Sequence, residues 1–338
     1  MTSVSEPISL RTRPYDDPPP SSGYPAGQLA RRRRGTGFHL ALFAATFVTA
    51  TFAYALNFGD ADPFTDPSSL AIGVPYAVAL LAILLAHEFG HYILARVHDV
   101  DATLPFFIPA PPVFFIGTLG AFIRMRSMPR DRKALFDVGA AGPWAGIAVA
   151  VPLLVLGLAL SEVKPPEPTP GGAFYLGESL LLKALMWLVL GVDGADVTIV
   201  LHPIAMAGWV GLLVTALNLM PVGQLDGGHI VYAALGARGH RAVSLGTITT
   251  LIVLVVGGAT SWLVWAVLLL VLGLRHPRIV DNDTPLDPVR RWAAAASLLL
   301  FVLTFMPEPL RLVPPPIPRA PDAIPESAPA APPRSIPL

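Results

Sequence analysis

Two histidines and a glutamate lie within one of the most apolar stretches of the chain, in the sequence AHEFGHY at 86–92. His87, Glu88 and His91 form the pattern H-E-x-x-H. Residues four apart share one face of an α-helix, so both imidazoles can bind one metal ion. Glu88 lies beside them, where it can accept a proton from a water molecule at that metal. Ionisable residues inside membrane spans are usually functional, so the pattern predicts a catalytic metal site.

The available donor types favour zinc as this metal. The chain contains no cysteine, so a metal site depends on His, Asp and Glu side chains. Catalytic zinc takes three protein ligands in a tetrahedral site with one open position. The stretch NLMPVGQLDGGHI supplies Asp226, the only carboxylate in the segment 197–280. Asp226 is therefore the candidate third ligand beside His87 and His91, and an interfacial helix cap is the competing interpretation.

The elements that carry these residues are predicted to be membrane helices. Of the 338 residues, 53% are hydrophobic and 14% charged, whereas soluble domains carry about 25% charged residues. About 20 apolar residues suffice to cross the hydrocarbon core. We predict an all-α polytopic membrane protein with about six transmembrane helices, surrounded by lipid. The predicted spans are Phe38–Asn57, Leu70–Val97, Ala134–Leu160, Pro203–Leu235, Val243–Leu274 and Trp292–Met306.

Two apolar segments do not fit a single crossing. The segment Val243–Leu274 is long enough for one tilted helix or for two short helices broken near Gly257 and Gly258. The segment Ser179–Val192 is too short for a span and is expected to lie in the interface or to re-enter. The number of spans therefore stays open at these two places.

The chain divides into three parts by composition. Residues 1–36 are polar and Pro-rich, and we expect a disordered cytoplasmic N-terminal tail. Residues 37–307 are the expected transmembrane domain, and residues 308–338 form a second Pro-rich tail, also expected to be disordered. The zero formal net charge gives no indication of nucleic-acid binding.

The basic residues predict the orientation in the membrane. Arg31–Arg34 precede the first span, which places the N-terminus in the cytoplasm. The loop between the second and third spans is the richest in positive charge and is also expected inside. The loop 161–200 carries more acidic than basic residues and is expected outside. His87, His91 and Asp226 then lie near the inner ends of two spans, which makes a short polar path from the cytoplasm.

At these motifs the chain resembles the site-2 protease family of intramembrane zinc metalloproteases. The resemblance covers roughly residues 70–275, through HEFGH, GTLGAF, AAGPWAG and NLMPVGQLDGGH. It implies a three-helix catalytic core with His87, His91 and Asp226 as ligands of one Zn²⁺ per chain and Glu88 as catalytic base. The chain has no insert large enough for a PDZ domain and no C-terminal CBS domains, so it is most similar to the compact branch of bacteria and plastids.

Further residues are candidates for contacts with a substrate. The segment 114–127 alternates bulky residues and contains Gly117 and Gly120, which indicates either a membrane-associated β-hairpin or a plain cytosolic loop. An edge strand there pairs with an unwound substrate backbone. Asn218 is a candidate hydrogen-bond donor to the substrate backbone or to the oxyanion. A polar contact between helices is the equal alternative for Asn218.

Most of the remaining histidines and glycines are expected to have structural roles. His229 is not a candidate ligand itself. It either hydrogen-bonds the carboxylate of a ligand or ends its helix at the membrane interface. Gly142 and Gly146 have the G-x-x-x-G spacing that favours close helix packing in lipid. We expect His202 at the interface, His240 in solvent and His276 in an interfacial basic cluster.

These observations lead to one main functional hypothesis and two alternatives. The main hypothesis is hydrolysis of a peptide bond in a transmembrane protein substrate, at a bacterial inner membrane with the active site towards the cytoplasm. An inactive scaffold or chaperone is the first alternative. A metal transporter that uses the same His and Asp residues is the second. The sequence indicates neither the substrate nor the oligomeric state.

Overall fold

The computed structural model describes residues 35–59, 61–165, 173–192, 197–272 and 284–313, together with His276, Ile279 and Asp281. The predicted N-terminal tail lies outside these residues except for its last two positions. This part of the chain contains eight α-helices. They are α1 (Thr36–Phe58), α2 (Gly73–Val97), α3 (Arg132–Ala159), α4 (Leu180–Leu190), α5 (Pro203–Asn218), α6 (Asp226–Val256), α7 (Trp262–Leu272) and α8 (Pro288–Thr304).

Six short strands form three antiparallel pairs within the described residues. The strands are β1 (Phe106–Pro109), β2 (Thr118–Phe122), β3 (Glu162–Lys164), β4 (Ala173–Leu176), β5 (Thr198–Val200) and β6 (Leu310–Val313). The pairs are β1–β2, β3–β5 and β4–β6. Strand β6 lies within the segment predicted as a C-terminal tail, and residues 314–338 lie outside the described part of the chain.

The prediction of a helical membrane protein is confirmed. Four described helical segments are long and apolar enough to cross a membrane. They comprise α1, α2 with the 3-10 helix that precedes it, α3 and α6. The helices α4, α5 and α7 are apolar but shorter. The count of six spans stays a prediction.

The fourth predicted span, Pro203–Leu235, is interrupted just before Asp226, at the place where Pro221 is expected to break or kink a helix. Helix α5 ends at Asn218, and α6 begins only at Asp226. Pro221 lies in the connecting loop, where it has no N–H for a helical hydrogen bond. Helix α6 is itself bent at Gly236 (φ 70°, ψ −177°), a backbone conformation that only glycine adopts readily. Asp226 therefore starts a short helical segment, residues 226–235.

The ambiguous segment 243–274 divides into two helices, as one of its two interpretations predicted. Helix α6 ends at Val256, and the chain turns at Gly257 and Gly258, whose φ is 106°. Helix α7 begins at Trp262, whose indole N–H donates to the Pro307 carbonyl at 2.8 Å. The start of α7 therefore lies beside the end of α8.

Helices α2, α3 and α5 form the centre of the molecule. The largest fully buried side chains include Tyr76 and Leu80 of α2, Leu154 of α3 and Trp209 of α5. Small residues permit this close packing: a Cβ on Gly157 of α3 would lie 2.2 Å from a backbone nitrogen of α5. Close backbone approach at small residues is typical of helix association in lipid.

The β1–β2 hairpin lies along the whole length of α1. At one end of α1, His39 Nδ1 donates to the Pro105 carbonyl at 2.9 Å. At the other end, the Asn57 amide donates to the Pro112 carbonyl at 3.1 Å. Within the predicted segment 114–127 only β2 is a strand, and its partner β1 lies upstream. The membrane association of the hairpin stays a prediction.

Two sets of contacts fix the ends of α8 relative to α3. At the start of both helices, the Arg290 guanidinium donates to both oxygens of Asp137, at 2.8 and 2.6 Å. Beyond the ends of both helices, β4 pairs with β6. Helices α3 and α8 therefore run in the same direction, and the end of α8 lies on the same side as the loop that follows α3.

Candidate metal centre

Three side chains from two helices converge on one point. The Nε2 atoms of His87 and His91 lie 3.1 Å apart. One oxygen of Asp226, Oδ2, lies 3.3 Å from His87 Nε2 and 3.2 Å from His91 Nε2. Both histidines are buried, and Asp226 is largely buried. The structure thus brings together the three residues that the sequence indicated as metal ligands.

The three donor atoms fit a zinc ion. Tetrahedral zinc with ligand bonds of about 2.0–2.2 Å places its ligand atoms about 3.3–3.6 Å from one another. The observed triangle has edges of 3.1, 3.2 and 3.3 Å. It is therefore close to one face of such a tetrahedron, with the fourth corner left for the reacting molecule.

The protonation of His91 also fits a metal ligand. Its Nδ1 donates to the Val138 carbonyl at 2.7 Å, and a carbonyl can only accept. In the neutral ring Nε2 therefore carries a lone pair, and this lone pair faces His87 and Asp226. Such a hydrogen bond on the far nitrogen is the usual support of a metal-bound imidazole. A lone pair that faces a carboxylate oxygen in a buried site is favourable when a cation lies between them.

Helix α3 covers this centre with a row of glycines. A Cβ on Gly142 would lie 2.0 Å from His91 Nε2, and one on Gly146 would lie 3.2 Å from His87 Nδ1. The G-x-x-x-G spacing predicted only close helix packing. The structure shows that the two glycines make room for imidazole rings, a role that sequence reasoning missed. Their placement on one face of α3, four residues apart, was the available signal.

Glu88 lies at the edge of the triangle and is 5% exposed. It is close enough to His91, His87 and Asp226 for their charges to act on its carboxylate. The backbone N–H of Ile123, one residue beyond β2, also acts electrostatically on this carboxylate. The candidate base therefore lies between the donor triangle and the end of the hairpin.

Asn218 contacts the centre, whereas Gly117 of the hairpin contacts α1. The amide nitrogen of Asn218 lies 3.2 Å from His87 Nε2. The Gly117 carbonyl accepts from Thr49 of α1 at 2.7 Å, and a Cβ on Gly117 would meet the α1 backbone at 2.5 Å. Gly120 has φ 96° at an irregularity in the strand register, and a Cβ there would meet nothing within 4 Å.

His229 hydrogen-bonds another histidine, and its two predicted roles stay predictions. Its Nδ1 lies 2.7 Å from His276 Nε2, a hydrogen bond between two imidazoles. His276 stacks on Tyr232, with ring centroids 4.2 Å apart.

The prediction of a solvated His240 was wrong, because this side chain is 2% exposed and its Nε2 donates to the Gly223 carbonyl. His202 accepts from the Ile204 N–H and caps α5.

Replacing His91 with alanine is expected to remove most of the bound zinc. The substitution leaves two protein donors where a stable site needs at least three. Asp226→Asn is expected to reduce zinc content less, because an amide oxygen still reaches the ion without the negative charge. Elemental analysis of the purified proteins measures both effects. Full zinc occupancy in His91→Ala would rule out the proposed ligand set.

The fold and the centre define a helical membrane protein with a candidate metal centre of two histidines and one aspartate. The profile of Peptidase family M50 matches residues 75–264, more than half of the chain. The chain therefore belongs to this family, which confirms the resemblance to the site-2 proteases.

Plant proteins are among the similar sequences. The chain is 36% identical over 244 residues to "Probable zinc metalloprotease EGY1, chloroplastic" of Oryza sativa subsp. japonica, covering 69% of this chain and 40% of the relative. It is 34% identical over 253 residues to the protein of the same name from Arabidopsis thaliana, covering 72% and 44%. The chain thus spans less than half the length of these relatives. Their names place them in the chloroplast and give no support to a bacterial inner membrane.

Proposed function

We propose that the protein is an intramembrane zinc endopeptidase that hydrolyses a peptide bond within or near a transmembrane segment of another membrane protein. The observation that carries the proposal is the triangle of His87, His91 and Asp226, with Glu88 beside it, inside a bundle of apolar helices. Membership of a peptidase family supports the same activity.

Each residue of the centre has a distinct role in this proposal. His87, His91 and Asp226 hold the zinc ion, which when bound polarises the scissile carbonyl and makes water a nucleophile near neutral pH. The Glu88 carboxylate accepts a proton from the attacking water and returns it to the amine that leaves. The Asn218 amide, 3.2 Å from His87 Nε2, donates a hydrogen bond to the oxyanion that develops on the carbonyl.

The hairpin presents the substrate in an extended form. An α-helix hides its carbonyls in hydrogen bonds, so a transmembrane substrate has to unwind before hydrolysis. Strand β2 pairs with β1 along one edge, and among the described residues no strand pairs with its second edge, where we propose that an extended peptide binds. The backbone N–H of Ile123, directly after β2, acts electrostatically on the Glu88 carboxylate. A peptide paired with β2 therefore continues to the metal centre.

The two alternative functions fit the centre less well. A scaffold or chaperone needs neither converging donors nor a buried carboxylate beside them, and both are present here. A transporter needs a series of polar sites along a path. Within the described residues, the one group of three metal-binding side chains in mutual reach is His87, His91 and Asp226.

The proposed activity is tested by reconstitution with tagged single-pass membrane proteins. We expect some of these proteins to be cut inside the lipid-embedded segment, at a site that mass spectrometry locates. The matched control is Glu88→Gln in the same membranes, which should leave every tagged protein intact. A cut found only in soluble domains, or one shared by the control, would contradict the proposal.

The basic loop between α2 and α3 is proposed to lie on the cytoplasmic side, and the loop after α3 on the opposite side. Because β4 pairs with β6, the end of α8 lies on that opposite side as well in this proposal. This assignment extends to residue 313 the orientation predicted from the charges.

Cysteine labelling is expected to divide three exposed positions into two groups. Cysteines in place of Lys164 and Arg311 should react with an impermeant reagent in intact cells, and a cysteine in place of Met128 should react only after permeabilisation. The chain has no native cysteine, so each signal comes from one position. Labelling of Met128→Cys in intact cells would show that the orientation in the membrane is the reverse of the proposed one. A split between Lys164→Cys and Arg311→Cys would contradict the β4–β6 pairing.

A further inference from the structure

An arginine from α3 binds the C-terminal end of the short helical segment that begins with Asp226. Helix α6 is broken at Gly236, so residues 226–235 form a separate helical segment. The Arg132 guanidinium donates to the carbonyls of Ala233 and Ala234, at 2.7 and 3.0 Å. These carbonyls lie at the C-terminal end of the segment, just before the break.

This contact satisfies groups that the break leaves exposed. The last carbonyls of a helix have no partner within the helix. They also carry the negative end of the helix dipole, where a cation is favourable. A guanidinium offers a planar fork of donors that reaches two adjacent carbonyls at once, whereas a lysine ammonium is a single point charge. Arg132 therefore acts as a C-terminal cap supplied by another helix.

The two ends of the metal-binding segment are held by different contacts. At its start, Cβ atoms on Gly227 and Gly228 would meet the backbone of loop 219–225 at 1.9 and 2.5 Å. At its end, Arg132 holds the carbonyls about 13 Å away along the helix axis. Arg132 is the first residue of α3, the helix whose glycines contact His91 and His87. The arginine thus ties the carboxylate ligand to the helix that sets the position of the two imidazoles.

We propose that Arg132 is a positioning residue for the metal centre, which holds the segment 226–235 against α3 and keeps Asp226 at bonding distance from the metal. This inference rests on the zinc site proposed above. It assigns to Arg132 an effect on metal affinity rather than on folding alone. Without Arg132, the ten-residue segment tilts about its packed start, and this tilt turns the Asp226 side chain relative to His87 and His91.

The test compares Arg132→Gln and Arg132→Lys with the wild type in the full chain in detergent. The matched control is Arg130→Gln, which removes the same charge from an exposed side chain two residues away. Zinc affinity is measured by competition with a chelator. The visible spectrum of the cobalt-loaded protein reports the ligand geometry, and thermal unfolding is followed with and without metal.

We expect the zinc dissociation constant of Arg132→Gln to rise about 10- to 100-fold, the usual effect of losing a support of a metal ligand. The dissociation constant of Arg132→Lys should rise less, because lysine keeps the charge and a donor group. The dissociation constant of Arg130→Gln should match that of the wild type. The cobalt spectrum of Arg132→Gln should change. The unfolding temperature of the metal-free protein should fall less than that of the zinc-loaded protein.

Three results would overturn the inference. Wild-type zinc affinity and an unchanged cobalt spectrum in Arg132→Gln would do so while leaving the proposed function intact. An equal fall of the unfolding temperature with and without zinc would show a structural role only. If Arg132→Gln does not fold, Arg132→Lys decides by the same measurements. A wild type that binds no zinc would overturn the proposed function together with this inference.

Discussion

Glu88→Gln is expected to reduce peptide hydrolysis by at least about 10²–10⁴-fold, the range typical of a lost general base. Glutamine keeps the shape of the side chain and can still hydrogen-bond a water molecule, but it cannot accept a proton at neutral pH. The site is buried, so bulk water does not readily take over this role. The amount of cut tagged substrate per enzyme and hour is the measurement.

The same variant separates a base from a ligand. Glu88 is not part of the donor triangle, so Glu88→Gln should bind zinc and unfold as the wild type does. Uncut substrate should then accumulate beside a fully loaded enzyme. Loss of zinc together with activity would make Glu88 a ligand, and normal hydrolysis would exclude it as the base.

Gly142→Ala is expected to abolish activity by removing the metal. The added Cβ would lie 2.0 Å from His91 Nε2 and 2.4 and 2.5 Å from two ring carbons, so the imidazole has to move. The ring cannot turn away easily, because its Nδ1 is held by the Val138 carbonyl at 2.7 Å. Helix α3 cannot retreat either without losing its packing on α2 at Gly90. Zinc content should fall close to that of His91→Ala.

Two glycine variants serve as controls for this result. Gly146→Ala meets His87 atoms at 3.2–3.3 Å, a contact that a small shift can relieve, so it should lose less zinc. Gly246→Ala has no atom within 4 Å of its new Cβ and should retain metal and activity. Elemental analysis and substrate cleavage are measured for all three. Full zinc occupancy in Gly142→Ala would show that α3 does not constrain His91.

The chemistry of the centre could be predicted from the sequence for two reasons. Two of its residues are close together in the sequence, and the third is the only residue of its kind in a long apolar segment. The spacing of His87 and His91 sets their common face on any α-helix. Asp226 stood out because the segment 197–280 contains no other carboxylate. Burying a charged side chain in an apolar segment is costly, so a charged residue there indicates a functional site.

Other features depend on contacts between distant segments and left no local signal. Gly236 breaks α6 in a segment whose composition is otherwise helical, and the carbonyls just before the break accept from Arg132, about 100 residues upstream. His240 is buried because it reaches the Gly223 carbonyl of the loop before α6. The hairpin pairs β2 with a strand that contains Pro109, a residue that argues against a central strand.

The most direct test of the central claim is the dependence of cleavage on zinc. The wild type in lipid vesicles with a cleaved tagged substrate is stripped with a chelator and then titrated with zinc. Cleavage should stop on stripping and return in full at about one zinc per chain, while the identically treated His91→Ala should not recover. Cleavage that continues in the stripped wild type, or that returns equally in His91→Ala, would contradict a zinc peptidase centred on His87, His91 and Asp226.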